Sequence, residues 1–308
     1  MPNQSPHKRQ TILSFIDGKL IGTKKGLLNP QSQDDPARTP LEEIATQMRR
    51  ILPGILLTRP DAQPRSTLYK QGSPPKLDLS QCPGVPPTVI RVVNADTIDA
   101  ALQLAANTTS PKNVCILNMA NPISAGGGWM HGALAQEEAL CYRTSLSATL
   151  KYNYYPLPEE GGIYSPRVLV IRESMQDGHG LMDLREPKNL PLISVISVAA
   201  VCRPATRTDA RDGRQRYASG ADARLMEEKM RVILRIAAKN GHRQVVLGAF
   251  GCGAFGNPKE EVASMWRSIL SEPEFGGGWW QDVIFAVLDT DGRGNFQTFY
   301  QRLDGRTV

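Results

Sequence analysis

Three consecutive glycines, Gly126, Gly127 and Gly128, stand just ahead of Gln136-Glu137-Glu138, with residues 129–135 between them. Glycine has no Cβ, so its backbone reaches positive φ and can approach a ligand closely. A helix that follows such a loop offers unpaired N–H groups at its positive end, which suits an anion. The carboxylates can hold hydroxyl groups or exchange protons. Successive side chains on a helix fan out by about 100°, so Glu137 and Glu138 are expected to aim at different atoms and divide those tasks. An isolated Glu-Glu pair would more simply be solvated acid at a helix start; the adjoining glycine loop is what favours chemistry.

A second glycine-rich loop, GAFGCGAFGNPKEE, runs from Gly248 to Glu261. A buried strand leads into Gly251, Gly253 and Gly256, and Asn257 and Pro258 read as a helix N-cap and first position. Loop amides beside a helix N-terminus form an anion-binding nest. Two such loops at the carboxyl ends of parallel strands imply a crevice for a diphosphate. A third stretch, Gly276-Gly277-Gly278, precedes two tryptophans and a strand, and reads as a plain turn. Neither ligand loop matches the dinucleotide or P-loop fingerprints.

These loops need a scaffold, and hydrophobic patterning supplies one. A helix is expected from Leu41 to Leu52, stopped by Pro53, followed by a Pro- and Gly-rich extended arm to Pro87. Strands are expected at 88–94, 114–119, 168–172, 192–200, 244–250 and 282–288. Helices are expected at 97–107, 133–150, 221–238, 258–270 and 296–303. The central strands are apolar without alternation, as in a sheet covered on both faces. The fold class is therefore α/β, a three-layer α/β/α arrangement. Residues 1–40 read as a mobile tail that touches the surface through ILSFI, and 41–308 as one domain whose N-terminal extension spans 41–87.

Composition narrows the classes. Apolar residues make up 41% of the 308, enough for a substantial core. The chain shows no signal peptide and no apolar run long enough to span a membrane, so an intracellular protein is expected. The net charge of +6 suits an anionic ligand, but the 6% of aromatic residues is too sparse for a single-strand nucleic-acid binder. No direct DNA binding is expected. The basic stretch RPATRTDARDGRQR, Arg203 to Arg216, reads first as a solvated loop, with attraction of a phosphorylated substrate as the alternative. Five cysteines, Cys115 and Cys202 among them in strand-like runs, and four scattered histidines give no metal-ligand spacing.

The glycine triplet and Gln-Glu-Glu together resemble the GGG-X6–8-QEE signature of poly(ADP-ribose) glycohydrolases, and GCGAFGN resembles their diphosphate loop. The stretches PPTVIRVVNADTIDAALQLA, LCYRTSLSATL, YYPLPEEGGIYSPRVLVIRES and LPLISVISVAA are similar to the microbial, especially fungal, branch. The resemblance extends over about 41–303. It implies a macrodomain-like fold with a mixed central sheet and hydrolysis of ribose–ribose O-glycosidic bonds in poly(ADP-ribose), releasing ADP-ribose. By this resemblance Glu138 is the catalytic acid and base; because a helix N-terminus lowers a carboxylate pKa while bound diphosphate and exclusion of water raise it, Glu138 is expected to be a competent acid mainly once substrate is bound. Glu137 and Asn121 hold the ribose, Gln136 adjoins them, and Gly126 to Gly128 approach that ribose and the diphosphate. Gly251, Cys252, Gly253, Ala254, Phe255 and Gly256 form the diphosphate cradle, with Phe255 packing on ribose. Asn118 is a ribose ligand or a turn-satisfying strand end; Asp96 is a helix cap ahead of an adenine contact. Trp129 and Met130 are expected to narrow the mouth.

No metal or soluble cofactor is implied. The implied partners are poly(ADP-ribose) and ADP-ribosylated proteins, in the nucleus or cytoplasm and in the DNA damage response, with no membrane. A non-catalytic ADP-ribose-binding macrodomain and a hydrolase of mono-ADP-ribosylated targets are the competing readings.

Overall fold

The computed structural model describes residues 40–107, 114–290 and 292–308, and the backbone of an antiparallel strand pair, Ile12–Ile16 with Lys19–Lys24. The rest of the expected tail, and the side chains of ILSFI, lie outside the described residues.

Seven strands form the central sheet: β1 Thr67–Tyr69, β2 Arg91–Val93, β3 Cys115–Met119, β4 Gly162–Leu169, β5 Leu192–Val198, β6 Gln244–Leu247 and β7 Asp282–Ala286. Their order is β1-β4-β5-β3-β6-β7-β2. From β5 to β2 all neighbours are parallel, whereas β4 runs antiparallel to both β5 and β1, which makes the sheet mixed. Alternate residues of the central strands point into two separate cores. Cys115, Leu117, Val245 and Leu247 join one, and Ile116 and Val246 join the other. That two-sided burial is why these strands read as unbroken apolar runs.

Helices α1 Pro40–Leu57, α2 Thr97–Ala106 and α3 Gln136–Arg143 cover one face. Helices α4 Gly220–Lys239, α5 Lys259–Leu270 and α6 Asn295–Leu303 cover the other. The three expected layers are present.

Several boundaries differ from expectation for identifiable reasons. Helix α1 continues past Pro53 to Leu57. Ile55 and Leu56 are buried in that last turn, together stabilising it by about 3–6 kcal/mol, which matches or exceeds the roughly 3 kcal/mol cost of an interior proline. Helix α3 ends at Arg143, far short of Leu150. The Arg143 carbonyl accepts N–H bonds from Ile171 and Arg172, and Ser145 donates its N–H to Leu169 O. Those long-range bonds capture the chain, and they also explain why β4 spans Gly162–Leu169 rather than 168–172. Strand β5 stops at Val198, so Cys202 is exposed rather than within a strand. The basic stretch forms a hairpin, Thr206–Thr208 against Gln215–Tyr217.

Candidate active site

Parallel strands β3 and β6 are adjacent in the sheet, so the loops at their carboxyl ends meet. A Cβ on Gly248 would stand 2.9 Å from Met119 Cε, which shows how closely the two strand ends lie. Beyond β3 the chain forms the glycine triplet and enters α3; beyond β6 it forms the second glycine loop and enters α5.

Helix α3 is fixed at both ends. At its start, the Gln136 side-chain amide donates to Leu117 O at 2.7 Å and to Thr97 Oγ1 at 3.4 Å, while its Oε1 accepts the Met119 N–H at 2.9 Å. Gln136 therefore serves the end of β3. At the other end, buried Arg143 donates to Asp96 at 2.5 Å and Asp99 at 2.6 Å on α2. Asp96 also caps α2 by accepting the Ile98 N–H at 2.7 Å, so the cap reading of Asp96 holds.

Glu137 is 3% exposed. Its Oε1 accepts from Asn118 Nδ2 at 3.1 Å and its Oε2 from the Asn121 N–H at 2.7 Å. Burial pushes its carboxyl up to about 7, against the lowering effect of those donors. Glu138 accepts the Gly128 N–H at 2.9 Å with Oε1 and the Ala135 N–H at 3.0 Å with Oε2. The second bond is the reach-back half of a capping box.

The two carboxylates meet at one residue. A Cβ on Gly127, whose φ is +62°, would fall 2.1 Å from Glu138 Oε1 and 3.2 Å from Glu137 Oε2. Each carboxylate keeps its own hydrogen-bond partners, Asn118 and Asn121 for Glu137 and Gly128 and Ala135 for Glu138, yet the two tips lie close together. Helical side chains leave the axis in different directions, but long glutamate stems and a folded-back loop let both tips converge.

Asn118 is fully buried, donating to Glu137 and to Ser197 Oγ at 3.0 Å. Its amide NH₂ positions Glu137, while its buried Oδ1 has no partner among the described residues. Asn121 is partly exposed and accepts the Ile123 and Ser124 N–H groups at 2.9 Å each. That Asx turn occupies its side-chain oxygen and leaves the amide NH₂ for a ligand. Gly126, with φ +76°, packs under Trp129, where a Cβ would come within 2.8 Å of the indole. Trp129 itself is buried against Tyr142, with ring centroids 6.1 Å apart, so it supports the loop from within and does not narrow the mouth.

In the second loop, Gly251 and Gly256 have positive φ, and Gly253, Ala254 and Gly256 are exposed while Cys252 is buried. Phe255 is half-buried against the core. Asn257 is not the helix cap, because Pro258 holds that position. Instead the Asn257 amide donates to Gly251 O at 3.0 Å and Val201 O at 2.8 Å, and its oxygen accepts from Tyr217 Oη at 2.7 Å. It braces the nest from below.

Sequence reasoning missed two residues of this region. Ser197 completes the Asn118–Glu137 chain. The buried hydroxyl of Tyr155 has no hydrogen-bond partner among the described residues, and burial, with Glu137's charge second, pushes its ionisation far up. A serine inside an apolar strand and a tyrosine in a Tyr-Pro-rich loop carry no signal of such placement. Among the described residues no group of three His, Cys, Asp or Glu side chains could hold a metal ion.

Fold and site together define an α/β protein that presents two carboxylates and a backbone anion nest from the carboxyl ends of two central strands. The family described as microbial-type PARG, catalytic domain, matches residues 60–173, a stretch that includes the triplet and both acids. Among solved structures, poly(ADP-ribose) glycohydrolase from Thermomonospora curvata bound to the inhibitor ADP-HPD is 26% identical. That match covers 85% of this chain and 98% of that one, with a TM-score of 0.69. The T267R mutant of the Deinococcus radiodurans enzyme in complex with ADP-ribose is 27% identical over 82% of this chain and 97% of that one, with a TM-score of 0.65. No curated protein matches. The chain is thus similar to the microbial-type poly(ADP-ribose) glycohydrolases, by the family model over residues 60–173 and in fold over most of its length.

Proposed function

We propose that this protein hydrolyses the ribose–ribose O-glycosidic bonds of poly(ADP-ribose) and releases ADP-ribose. The family match and the likeness to bacterial poly(ADP-ribose) glycohydrolases, solved with ADP-ribose and with ADP-HPD, support the activity. One observation carries its assignment to residues: Glu137 and Glu138 close on Gly127 from two sides, beside a nest of loop amides.

In this reading Gly251 to Gly256 and the N-terminus of α5 hold the diphosphate. The Asn121 amide and Glu137 hold hydroxyls of the ribose being cleaved, and Gly127 lets that sugar lie against bare main chain. Glu138 gives a proton to the departing ribose oxygen as the bond from C1″ breaks and positive charge develops on the sugar. It then takes a proton from the water that adds to C1″, returning to its starting state. Most glycosidases oppose two carboxylates across the bond; here both acids approach from the same helix, and the substrate's own diphosphate is left to stabilise the cation.

The substrate would arrive on ADP-ribosylated proteins, in the nucleus or the cytoplasm. No described helix is long and apolar enough to cross a membrane.

The test is Glu138→Gln, assayed on polymer by chromatography of products and on ADP-ribose by titration. Binding is expected to persist while release of ADP-ribose falls by at least about 10²-fold, the usual scale for a lost acid/base group. Release at the parent rate would remove Glu138 from the chemistry. A peptide carrying a single ADP-ribose, run in parallel, separates polymer from mono-ADP-ribose hydrolysis.

A further inference from the structure

Half of the chain's net charge sits in one small hairpin beside the glycine nest. Residues 203–216 carry five arginines and two aspartates, a surplus of three, against +6 for all 308 residues. The root of this hairpin is stapled to the second glycine loop. The Arg203 N–H donates to Phe255 O at 2.9 Å, Val201 O accepts from Asn257, and Tyr217 bonds Asn257 through its hydroxyl and Glu261 through its N–H at 2.8 Å. At about 3.4 Å per strand residue, the four steps from Ala205 to Asp209 carry the hairpin roughly 14 Å away from that root.

The charges are not neutralised within the fold. Arg214 and Arg216 pair with Asp209 and Asp212. Arg203, Arg207 and Arg211 are exposed, and no carboxylate among the described residues lies in ion-pair range of them. Arg207 stands directly opposite Arg216 in the strand register, and like charges so placed destabilise a hairpin. Arg203 adopts φ +49°, a left-handed conformation uncommon for a residue with a side chain. The Arg203 conformation goes with its N–H bond to Phe255 O, whereas the Arg207–Arg216 opposition is relieved when an external anion lies across the arginines.

We propose that this hairpin is a second anion-binding surface, continuous with the glycine nest, that grips the diphosphate of the ADP-ribose unit adjoining the one in the pocket. It makes the site selective for polymer over a single unit. The inference rests on the function proposed above, since it takes the neighbouring unit of the same chain as its ligand.

The experiment compares two proteins that share Glu138→Gln to prevent turnover: one otherwise unchanged, the other also carrying Arg207→Glu and Arg211→Glu. Each is titrated with ADP-ribose and with poly(ADP-ribose) over a range of salt concentrations. Expected is an ADP-ribose Kd within about twofold between the two, which also reports an intact fold. The polymer Kd should weaken by at least about tenfold at low salt in the charge-reversed protein. Its slope of log affinity against log salt should flatten by roughly 1.4, at about 0.7 for each phosphate contact to a single strand. Unchanged polymer affinity and slope would overturn the proposal, and so would equal weakening toward both ligands, which would make the hairpin a mere support for the pocket. Failure of the unsubstituted protein to release ADP-ribose would sink the hydrolase reading separately, because the binding comparison needs no turnover.

Discussion

Gly126–Gly128 and Gly276–Gly278 are the same tripeptide in two settings. In the first, a Cβ on the middle glycine would strike the carboxylate of Glu138 at 2.1 Å. In the second, the middle glycine has open space around it, and the last one, at φ +107°, would strike main chain, with Val85 O at 2.7 Å and Gly84 Cα at 2.9 Å. The later triplet is thus more than the plain turn its sequence suggests. It seats the N-terminal arm, whose Val85 N–H donates to Gly278 O at 3.0 Å. One triplet makes room for reactive side chains and the other for a neighbouring backbone. Glycine marks close approach in both; only the identity of the approaching group tells chemistry from packing.

That contrast can be broken or sharpened by substitution. The largest effect should come from Gly127→Ala. The added methyl displaces the flexible end of Glu138 rather than backbone, so folding should survive at about 1–2 kcal/mol for the left-handed conformation, while release of ADP-ribose drops by about 10² or more. A variant that folds, binds and turns over like the parent would separate Gly127 from the acids.

Next is Glu137, whose carboxyl is raised from 4.5 to about 7 by burial. The folded state holds that proton more tightly than the unfolded chain does. Its contribution is therefore fully present below about 4.5 and lost as the pH climbs through 7, a decline of at most about 3.4 kcal/mol at 1.36 kcal/mol per pH unit. Urea unfolding at pH 5 and pH 8 should reveal this slope in the parent and a flatter one in Glu137→Gln; equal slopes would contradict the burial argument.

The smallest effect belongs to the second triplet. Gly278→Ala should lower stability by about 2 kcal/mol, from left-handed strain and arm displacement, with turnover unchanged. Gly277→Ala, meeting no atom within 4 Å, should cost about half as much. Loss of activity in Gly278→Ala at a temperature where it remains folded would mean that the arm reports to the site.

Legibility in the sequence followed the range of the interactions involved. Strands β3 and β6 are evident because their burial on both faces leaves unbroken apolar runs. Helix α2 is evident because Asp96, its cap, acts within three residues. Strand β1 is not, since three residues in a proline-rich arm become a strand only by pairing with residues 162–164. The end of α3 is invisible for the same reason, being set by bonds from Ser145, Ile171 and Arg172.

Within the candidate site, the motif pointed to this stretch of chain but did not sort its members. Gln136 and Asn257 carry ligand-binding side chains, yet each is engaged internally, by a strand end and by the carbonyls of Gly251 and Val201, and the Asn118 NH₂ is taken by Glu137 and Ser197. Residue type advertises hydrogen-bonding capacity. It does not say who claims that capacity first.

The short helix that bears the acids is bolted by Gln136 at one end and Arg143 at the other. Two turns pinned this way behave as an anvil, able to move only with the sheet beneath. Helix α3 also ties the strip between Pro122 and Leu134 at Gly128, Trp129 and Ala133, so adjustment to an incoming sugar falls to the residues between those ties. Anyone wishing to retune which linkage is cut would do better to edit that strip than the helix.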